Sequence, residues 1–302
     1  MIEFAHLSKK TKEVVELYNR EASLRYIENP FWIQYSRAAK LLDIMHEYMN
    51  NPTKTRMQSL LIIGDPNMGK SEVIQKFVDM NPPETYVDNE GLTRIRQPVI
   101  LTLANSSASV KNLYASILYS FHTSFSPSAS TAKLEYQVYA LMREHQVKVL
   151  IIDELHHILE TTITKQRVVM NAIKNISNQL KIPIIGAGID TAKRVLMTDS
   201  QHASRFHTVE LKKWKLDPDF AGLLKAFEKA LPLAKPSHLG KQKKATLLYH
   251  ISQGNLGNLH TLLKICTKYA LEQDIHEITM EIIEKHRHIC PTDKNLSVQI
   301  EL

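Results

Sequence analysis

The chain has 302 residues, a length that suits one large domain plus a smaller one. Its hydrophobic fraction of 43% and charged fraction of 23% are ordinary for a globular protein and exclude a disordered chain or a fibre. The formal net charge of +7 favours an acidic partner such as nucleic acid, although a basic surface also serves solubility alone.

The cysteines and the hydropathy pattern indicate the cellular setting. Cys266 and Cys290 stand in no metal-binding spacing, so we interpret them as free thiols in a reducing compartment. No stretch approaches the ~20 apolar residues of a membrane span, and the N-terminus lacks an apolar signal core. We therefore expect a cytoplasmic protein that does not associate with a membrane.

The N-terminal segment, residues 1–59, has a mostly helical and polar pattern that is interrupted at Pro30. An aromatic cluster spans residues 26–35, and two interpretations stay open: core packing, or a cover for a nucleotide base. Apolar residues on one face predict a helix at 36–49, which ends before Pro52.

A phosphate-binding loop follows the first predicted strand, residues 60–63. Its residues match the pattern GxxxxGKS and are Gly64, Asp65, Pro66, Asn67, Met68, Gly69, Lys70 and Ser71. The glycines allow backbone N–H groups to surround phosphate oxygens, while Lys70 reaches the terminal phosphates and the Ser71 hydroxyl holds Mg²⁺. Because an apolar strand precedes the loop and a helix is predicted at 71–80, we prefer a nucleotide site to a chance match.

Two carboxylates follow a later strand directly. A strand is predicted at 99–104, helices at 112–121 and before His145, and the apolar run 149–152 then leads into Asp153 and Glu154. In a chain with a complete phosphate-binding loop, Asp153 suits holding Mg²⁺ and Glu154 suits activating the attacking water. The alternative is a strand that ends in solvated charge.

His156 and His157 come just after these carboxylates. A metal site needs further ligands at suitable spacing, so we interpret both histidines as helix-surface residues or supports of the site.

Strands alternate with helices up to a fourth strand at 182–185, which predicts an α/β fold with a parallel sheet covered on both faces. Ligands of such sheets bind beyond the carboxyl ends of the strands. A last strand is expected at 208–211. The remaining pattern is helical and predicts a small all-helical domain, with helices at 220–231, 241–252, 257–272 and 279–288.

Glycine is scarce in the chain. Six of the nine glycines fall in three pairs, which are Gly64/Gly69, Gly186/Gly188 and Gly254/Gly257. These pairs indicate places where the backbone needs freedom that a side chain would deny.

Taken together, these motifs resemble those of AAA+ ATPases, and within that class the TniB/TnsC family, the ATPase regulators of DNA transposition. The residues that carry the resemblance are the loop with the preceding 56–59, the Asp153–Glu154 pair, the Ser204-Arg205-Phe206 stretch, and the segments 214–217, 223–228 and 231–233. The resemblance implies an AAA+ P-loop core at 56–215, an N-terminal helical segment at 1–55 and a helical C-terminal lid at 216–302.

The resemblance also implies roles for particular residues. The site would bind ATP and Mg²⁺ and hydrolyse ATP, with Lys70 and Glu154 as catalytic residues and Arg205 as an arginine finger acting on a neighbouring subunit. A finger acting between subunits requires head-to-tail packing, in a ring or a helical filament. Asn105, at the end of the second strand, is a further nucleotide-site candidate that would couple Glu154 to DNA.

Further partners follow from the same resemblance: double-stranded DNA, a transposase and a target-selection protein of the TniQ type. Lys111 and Lys133 are the candidate DNA contacts, and ordinary solvated helix starts are the alternative. An IstB/DnaC-like helicase or initiator loader and a non-hydrolysing nucleotide-gated scaffold are the rival functions.

The chain departs from the AAA+ pattern at two places. The end of the fourth strand lacks a polar sensor, for which Asp190 or Thr191 are possible substitutes, and residues 252–258 lack the arginine of a second sensor. Slow hydrolysis is therefore expected, with ATP serving chiefly to assemble the oligomer.

Overall fold

The structure is a computed structural model that describes residues 4–16, 20–51, 56–104, 109–197 and 205–288. Contacts divide the chain into two units. The helical unit comprises Met1–Ala39, Asn67–Gly69 and Lys212–Leu302, and the α/β unit comprises Lys40–Pro66 and Lys70–Leu211. The division into domains at residues 55 and 215 stays a prediction, since a contact unit need not be a folding domain.

The described elements follow one another in this order. The strands are β1 (Ser59–Gly64), β2 (Glu84–Val87), β3 (Thr93–Arg96), β4 (Val99–Leu103), β5 (Val149–Asp153), β6 (Ile184–Gly188) and β7 (Phe206–Leu211). The helices are α1 (Lys9–Glu16), α2 (Arg20–Glu28), α3 (Ser36–Asn50), α4 (Lys70–Met80), α5 (Val110–Ser120), α6 (Thr131–Glu144), α7 (Ile163–Leu180), α8 (Ala192–Met197), α9 (Pro218–Ala230), α10 (Gln242–Ser252), α11 (Leu256–Glu272) and α12 (Met280–Lys285). A 3₁₀ helix, Leu155–Glu160, follows β5.

A parallel sheet forms the centre of the α/β unit. Among the described residues its strand order is β4-β5-β6-β1-β7, and every neighbouring pair runs parallel. The strands β1, β5 and β6 are buried throughout, which is why their sequences are nearly continuous apolar runs. The predicted α/β fold with a parallel sheet flanked by helices is confirmed.

The fourth predicted strand differs from the observed one. It was expected at 182–185 with the glycines as its end, whereas β6 runs from Ile184 to Gly188 and pairs Gly188 with Ile63. Small residues are needed in this crowded centre, because a Cβ at Gly186 would lie 2.9 Å from the Leu155 side chain. Glycine here permits close packing rather than ending the strand.

The hairpin β2–β3 was not predicted from the sequence. The Asp88 carboxylate accepts hydrogen bonds from the backbone of Glu90 and Leu92, and Gly91 adopts a φ of +78° in the turn. The available signal was the turn sequence Asp-Asn-Glu-Gly between two short strands. These strands are largely exposed and so lack the apolar run that identified the others.

The core of the α/β unit joins the sheet to α5, α6 and α7. Leu61, Ile100 and Ile152 from the strands are buried with Leu118 of α5 and Ile173 of α7. Burial of such aliphatic side chains stabilises a fold by about 1.5–3 kcal/mol each. This packing fixes the strands whose ends carry the candidate site.

The helical unit combines the N-terminal helices α1 and α2 with α9 to α12. The Ser8 amide donates to the Lys229 carbonyl at 2.8 Å, and Lys268 of α11 forms an ion pair with Glu28 of α2 at 2.8 Å. Asp217 and Asn255 cap α9 and α11 with their side chains. The predicted C-terminal helices are confirmed to within a few residues at their ends.

In the part of the chain that the structure describes, no helix has both the length and the apolar character needed to span a membrane.

Candidate nucleotide site

The phosphate-binding loop connects β1 to the N-terminus of α4. Gly69 has a φ of +82°, a conformation that other residues rarely adopt. Gly64 ends β1 beside β7, where a Cβ would lie 2.8 Å from the Leu211 carbonyl oxygen. The loop therefore requires glycine at both ends of the motif, one for its dihedral angles and one for space.

Lys70 begins α4 and is 7% exposed. Its Nζ donates to the carbonyl oxygens of Gly64 at 2.8 Å and Asp65 at 2.9 Å. Burial lowers the pKa of Lys70, while the carboxylates of Glu154 and Asp153 act in the opposite direction. The ammonium group thus lies among acceptors at the carboxyl end of β1, as phosphate binding requires.

Ser71 and Asp153 come together at the same end of the sheet. The Ser71 hydroxyl donates to Asp153 Oδ2 at 2.8 Å, and Asp153 is 5% exposed. A hydroxyl and a carboxylate are the oxygen ligands that Mg²⁺ prefers. No group of three His, Cys, Asp or Glu residues suited to a metal ion exists within the described ranges, so Mg²⁺ here would also need phosphate and water oxygens.

Glu154 follows in an unusual backbone conformation. It has φ 56° and ψ 36°, the left-handed region, and precedes the 3₁₀ helix. Its amide donates to Asp153 Oδ1 at 2.8 Å, and its side chain is 39% exposed. The sharp turn directs the chain away from β5 so that two successive carboxylates have different surroundings.

Arg205 lies at the opposite edge of the sheet. It immediately precedes β7, whereas Asp153 ends β5, and the strands of this five-stranded sheet run parallel. A strand of five residues spans about 16 Å, so Arg205 is separated from the loop and both carboxylates by about that distance.

The surroundings of Arg205 mix polar side chains such as Ser177 with apolar ones such as Met170, and no described carboxylate forms an ion pair with it. Its guanidinium donates to Asn178 Oδ1 on α7 at 2.8 Å. Burial, and then the nearby Arg56, lower the pKa of Arg205. The predicted finger is therefore not brought to the loop of its own protomer.

The two candidate DNA contacts lie at neighbouring helix starts. Lys111 is in the first turn of α5 and donates to the Pro127 carbonyl at 2.8 Å, while Lys133 is exposed in the first turn of α6. Near them lies a cleft of about 420 Å³. Its lining is Ser109, Val110, Lys111, Thr131, Thr164, Lys165, Val168 and Val169. Lys165, in the first turn of α7, was missed because nothing in the local pattern places α7 beside α5.

The glycine stretch before α11 contacts the loop tip within the helical unit. The Gly257 amide donates to the Asn67 carbonyl at 2.8 Å. A Cβ at Gly254 would lie 2.2 Å from the Trp214 carbonyl oxygen, and Gly254 has a φ of +68°. Residues 252–258, which lack the arginine of a second sensor, thus contact Asn67 through a backbone hydrogen bond. The paired glycines were the sequence signal for this contact.

The aromatic cluster is also part of the helical unit. Tyr35 packs edge-on against Trp214 with ring centroids 5.8 Å apart, and its hydroxyl lies 3.4 Å from the Cβ position of Gly69. The Arg37 guanidinium covers the Trp214 ring at 3.8 Å. Tyr35 therefore lies beside the loop. The four aromatic side chains of the cluster are half-buried, and only Ile27 and Ile33 between them are fully buried, so the aromatic residues are not core residues.

Asn105, Ser204 and Cys290 lie outside the described residues. Cys266 is a free, buried cysteine, and burial raises the pKa of its thiol to about 12.

Comparison with known proteins identifies relatives by sequence and by fold. A family model described as "Bacterial TniB protein" matches residues 23–216. No curated protein matches the sequence.

Solved structures of origin-recognition proteins are similar in fold. Aeropyrum pernix ORC2, in ADPNP–ADP complexes, has a TM-score of 0.62 and 14% identity, with 88% of this chain and 71% of that chain covered. Pyrobaculum aerophilum Cdc6p has a TM-score of 0.60 and 12% identity, covering 86% and 69%. Drosophila ORC bound to DNA has a TM-score of 0.51 and 11% identity, covering 88% and 64%. At these identities the similarity establishes the fold alone.

Proposed function

The chain belongs to the TniB family, and we propose that it is an ATP-dependent, DNA-binding regulator of transposition. In this proposal it assembles on double-stranded DNA and recruits or activates a transposase at a site selected by a TniQ-type protein. The observation that carries the proposal is the convergence of Lys70, Ser71 and Asp153 at one edge of the sheet, with Ser71 hydrogen-bonded to Asp153.

The chain's own residues would hold ATP and Mg²⁺ in the following way. The backbone amides of the loop and the N-terminus of α4 face the phosphates, and Lys70 exchanges its carbonyl partners for phosphate oxygens. Ser71 and Asp153 hold Mg²⁺, directly or through water. Mg²⁺–ATP, when bound, would supply the γ-phosphoryl group, which would pass to water with ADP as the leaving group. Glu154 would orient that water and accept its proton.

Arg205 acts on the nucleotide of a second copy of the chain. The separation of about 16 Å between the two edges of the sheet supports this assignment, because Arg205 lies at the edge opposite to its own loop. An arginine at the γ-phosphate neutralises charge that develops during transfer. Head-to-tail repetition of this contact generates a ring or a helical filament.

DNA binding rests on phosphate contacts rather than on base recognition. Lys111, Lys133 and Lys165 supply positive charge in the first turns of α5, α6 and α7. The net charge of +7 has the sign required. Affinity for DNA is therefore expected to fall steeply with salt concentration and to depend little on sequence.

The decisive experiment measures ATP-dependent DNA binding and phosphate release for Lys70→Ala. Both are expected to be lost, because no other side chain replaces the ammonium group in the loop. Lys148→Ala, an exposed lysine in the same unit, is the matched control and retains both. A Lys70→Ala protein that binds DNA with ATP as well as the wild type does would refute the proposal.

Glu154→Gln separates binding from hydrolysis. It keeps the shape of the side chain but removes the base, so ATP-dependent assembly on DNA should persist while phosphate release stops. Stimulation of a transposase by the wild-type protein then tests the regulatory role, and stimulation of helicase loading instead would favour a loader.

A scaffold that binds nucleotide without hydrolysing it is the second candidate. The glycine end of β6 favours it, because that strand contributes no polar side chain to the site. Phosphate release measured with and without DNA decides between them, since a scaffold releases none.

A further inference from the structure

The end of β6 occupies a central place without a polar side chain of its own. The strand lies between β5, which ends in Asp153, and β1, which leads into the phosphate-binding loop. Gly188 pairs with Ile63, one residue before the loop begins. A polar group supplied at this point by another element would lie beside the strand that ends in Asp153.

The His156 side chain lies against this position. A Cβ at Gly188 would lie 3.1 Å from the Ala192 Cβ, 3.3 Å from His156 Nδ1 and 3.4 Å from the His156 backbone nitrogen. Because residue 188 is a glycine, the imidazole ring occupies space that a larger residue would take. The imidazole of His156 therefore helps to fill the space that the absent side chain of Gly188 leaves at the end of β6.

The same nitrogen also faces Glu154. His156 Nδ1 lies 3.2 Å from Glu154 Oε2, and the His156 side chain is only 18% exposed. Nδ1 is itself buried and has no aligned hydrogen-bond partner in the described part of the chain. A buried polar atom without a partner costs about 1–3 kcal/mol, so its retention beside a carboxylate indicates a use.

Neighbouring groups fix the imidazole in place. The His156 and His157 rings are in contact, with centroids 4.5 Å apart, and His157 Nδ1 lies 3.1 Å from the Ala104 carbonyl oxygen at the end of β4. The ring of His156 is thus held between Glu154, the end of β6 and a histidine anchored to β4.

We propose that His156 is a positioning residue of the hydrolytic site, whose Nδ1–H holds the Glu154 carboxylate toward the attacking water. The end of β6 carries no polar side chain, and His156 supplies a polar group there from the 3₁₀ helix. A small rotation of the carboxylate aligns the hydrogen bond, and the imidazole neither gains nor loses a proton in this role. The inference rests on the proposed ATPase function.

Asp190 is one of the two residues, with Thr191, that the sequence suggests as substitutes at the end of β6. Asp190 forms an ion pair with Lys193 at 2.8 Å, and its side chain is 74% exposed.

The test compares His156→Ala, His156→Asn and His145→Ala in steady-state ATP hydrolysis with DNA present. His156→Ala should lower kcat at least tenfold and leave KM within twofold, because the loop, Ser71 and Asp153 are unchanged. His156→Asn, which carries an amide N–H near the place of Nδ1, should recover at least a third of wild-type kcat. His145 is the matched control, since it is half-buried with an Nδ1 that also lacks a described partner, and its substitution should leave kcat within twofold.

The outcomes distinguish this inference from the function on which it rests. A kcat for His156→Ala within threefold of wild type overturns the inference, as does a His156→Asn protein no more active than His156→Ala. A tenfold increase in KM would assign His156 to nucleotide binding and also overturn it. Absence of hydrolysis by the wild type would instead refute the ATPase function. Thermal unfolding of each variant verifies that the protein is folded.

Discussion

The two edges of the parallel sheet carry opposite parts of the proposed chemistry. At the carboxyl edge, where the parallel strands end, Asp153 is buried, accepts a hydrogen bond from Ser71 and lies near Lys70. At the amino edge, where the parallel strands begin, Arg205 donates a hydrogen bond to the uncharged amide of Asn178. Burial and the nearby Arg56 lower the pKa of Arg205. The carboxylate at the first edge has a hydrogen-bond donor and a cation within its own protomer, whereas no described carboxylate pairs with Arg205 at the second edge. In the proposed function, the nucleotide of a second protomer would supply the anion that Arg205 lacks.

The largest effect is expected from removing the charge of the carboxyl edge. Asp153→Asn keeps an acceptor for Ser71 but weakens Mg²⁺ binding, and ATP hydrolysis should fall about 1,000-fold, since metal stabilisation of phosphoryl transfer amounts to several kcal/mol. Titration of phosphate release with Mg²⁺ measures the loss. Asp190→Asn is the matched control. It makes the same change just after β6, where the carboxylate is exposed, and should change hydrolysis less than twofold. Equal losses in the two variants would contradict the assignment.

The next effect concerns the amino edge. Arg205→Ala should lower hydrolysis about 100-fold, because the neighbour's site loses its arginine. Mixing this variant with Lys70→Ala should restore activity, since some interfaces then combine an intact loop with an intact arginine. Phosphate release plotted against the mixing ratio should pass through a maximum. If the mixture is no more active than its components, the site is not shared between subunits.

The smallest effect is expected at Asn178, which accepts a hydrogen bond from Arg205. Asn178→Ala removes the hydrogen bond that orients Arg205 and should lower hydrolysis about threefold, a loss near 0.6 kcal/mol that is typical of one neutral hydrogen bond. Asn178→Asp should lower it further, about tenfold, because a carboxylate forms an ion pair with Arg205 and holds it within its own protomer. Hydrolysis rates of the two Asn178 variants at low and high salt test these expectations. An Asn178→Asp protein more active than Asn178→Ala would show that Arg205 does not act outward.

Much of the carboxyl edge could be predicted from the sequence because its signals are local. The buried strand, the GxxxxGKS loop and the carboxylates directly after β5 are each contiguous, and parallel strands bring such ends together without any knowledge of side-chain packing. The strand boundary at β6 was wrong for the same reason. Glycine in a local pattern indicates a break, and only the neighbouring Leu155 side chain explains why β6 needs it.

The remaining features depend on contacts that are distant in sequence. Asn178 and Arg205 are 27 positions apart, and no periodicity links an asparagine on α7 to an arginine before β7. A helical turn after β5 was expected for His156, but the placement of its ring against Gly188 follows from packing that no sequence pattern indicated. The exposed hairpin β2–β3 was missed because its strands carry no buried face.

The left-handed backbone at Glu154 has a consequence for how this protein responds to selection. For a residue with a side chain, that conformation costs about 1 kcal/mol relative to a right-handed one, a strain that glycine avoids. A screen that rewards heat resistance alone should therefore favour glycine at position 154, whereas a screen for ATP turnover should reject it. Thermostability and activity compete at this position, so the glutamate would persist only while hydrolysis is useful to the organism.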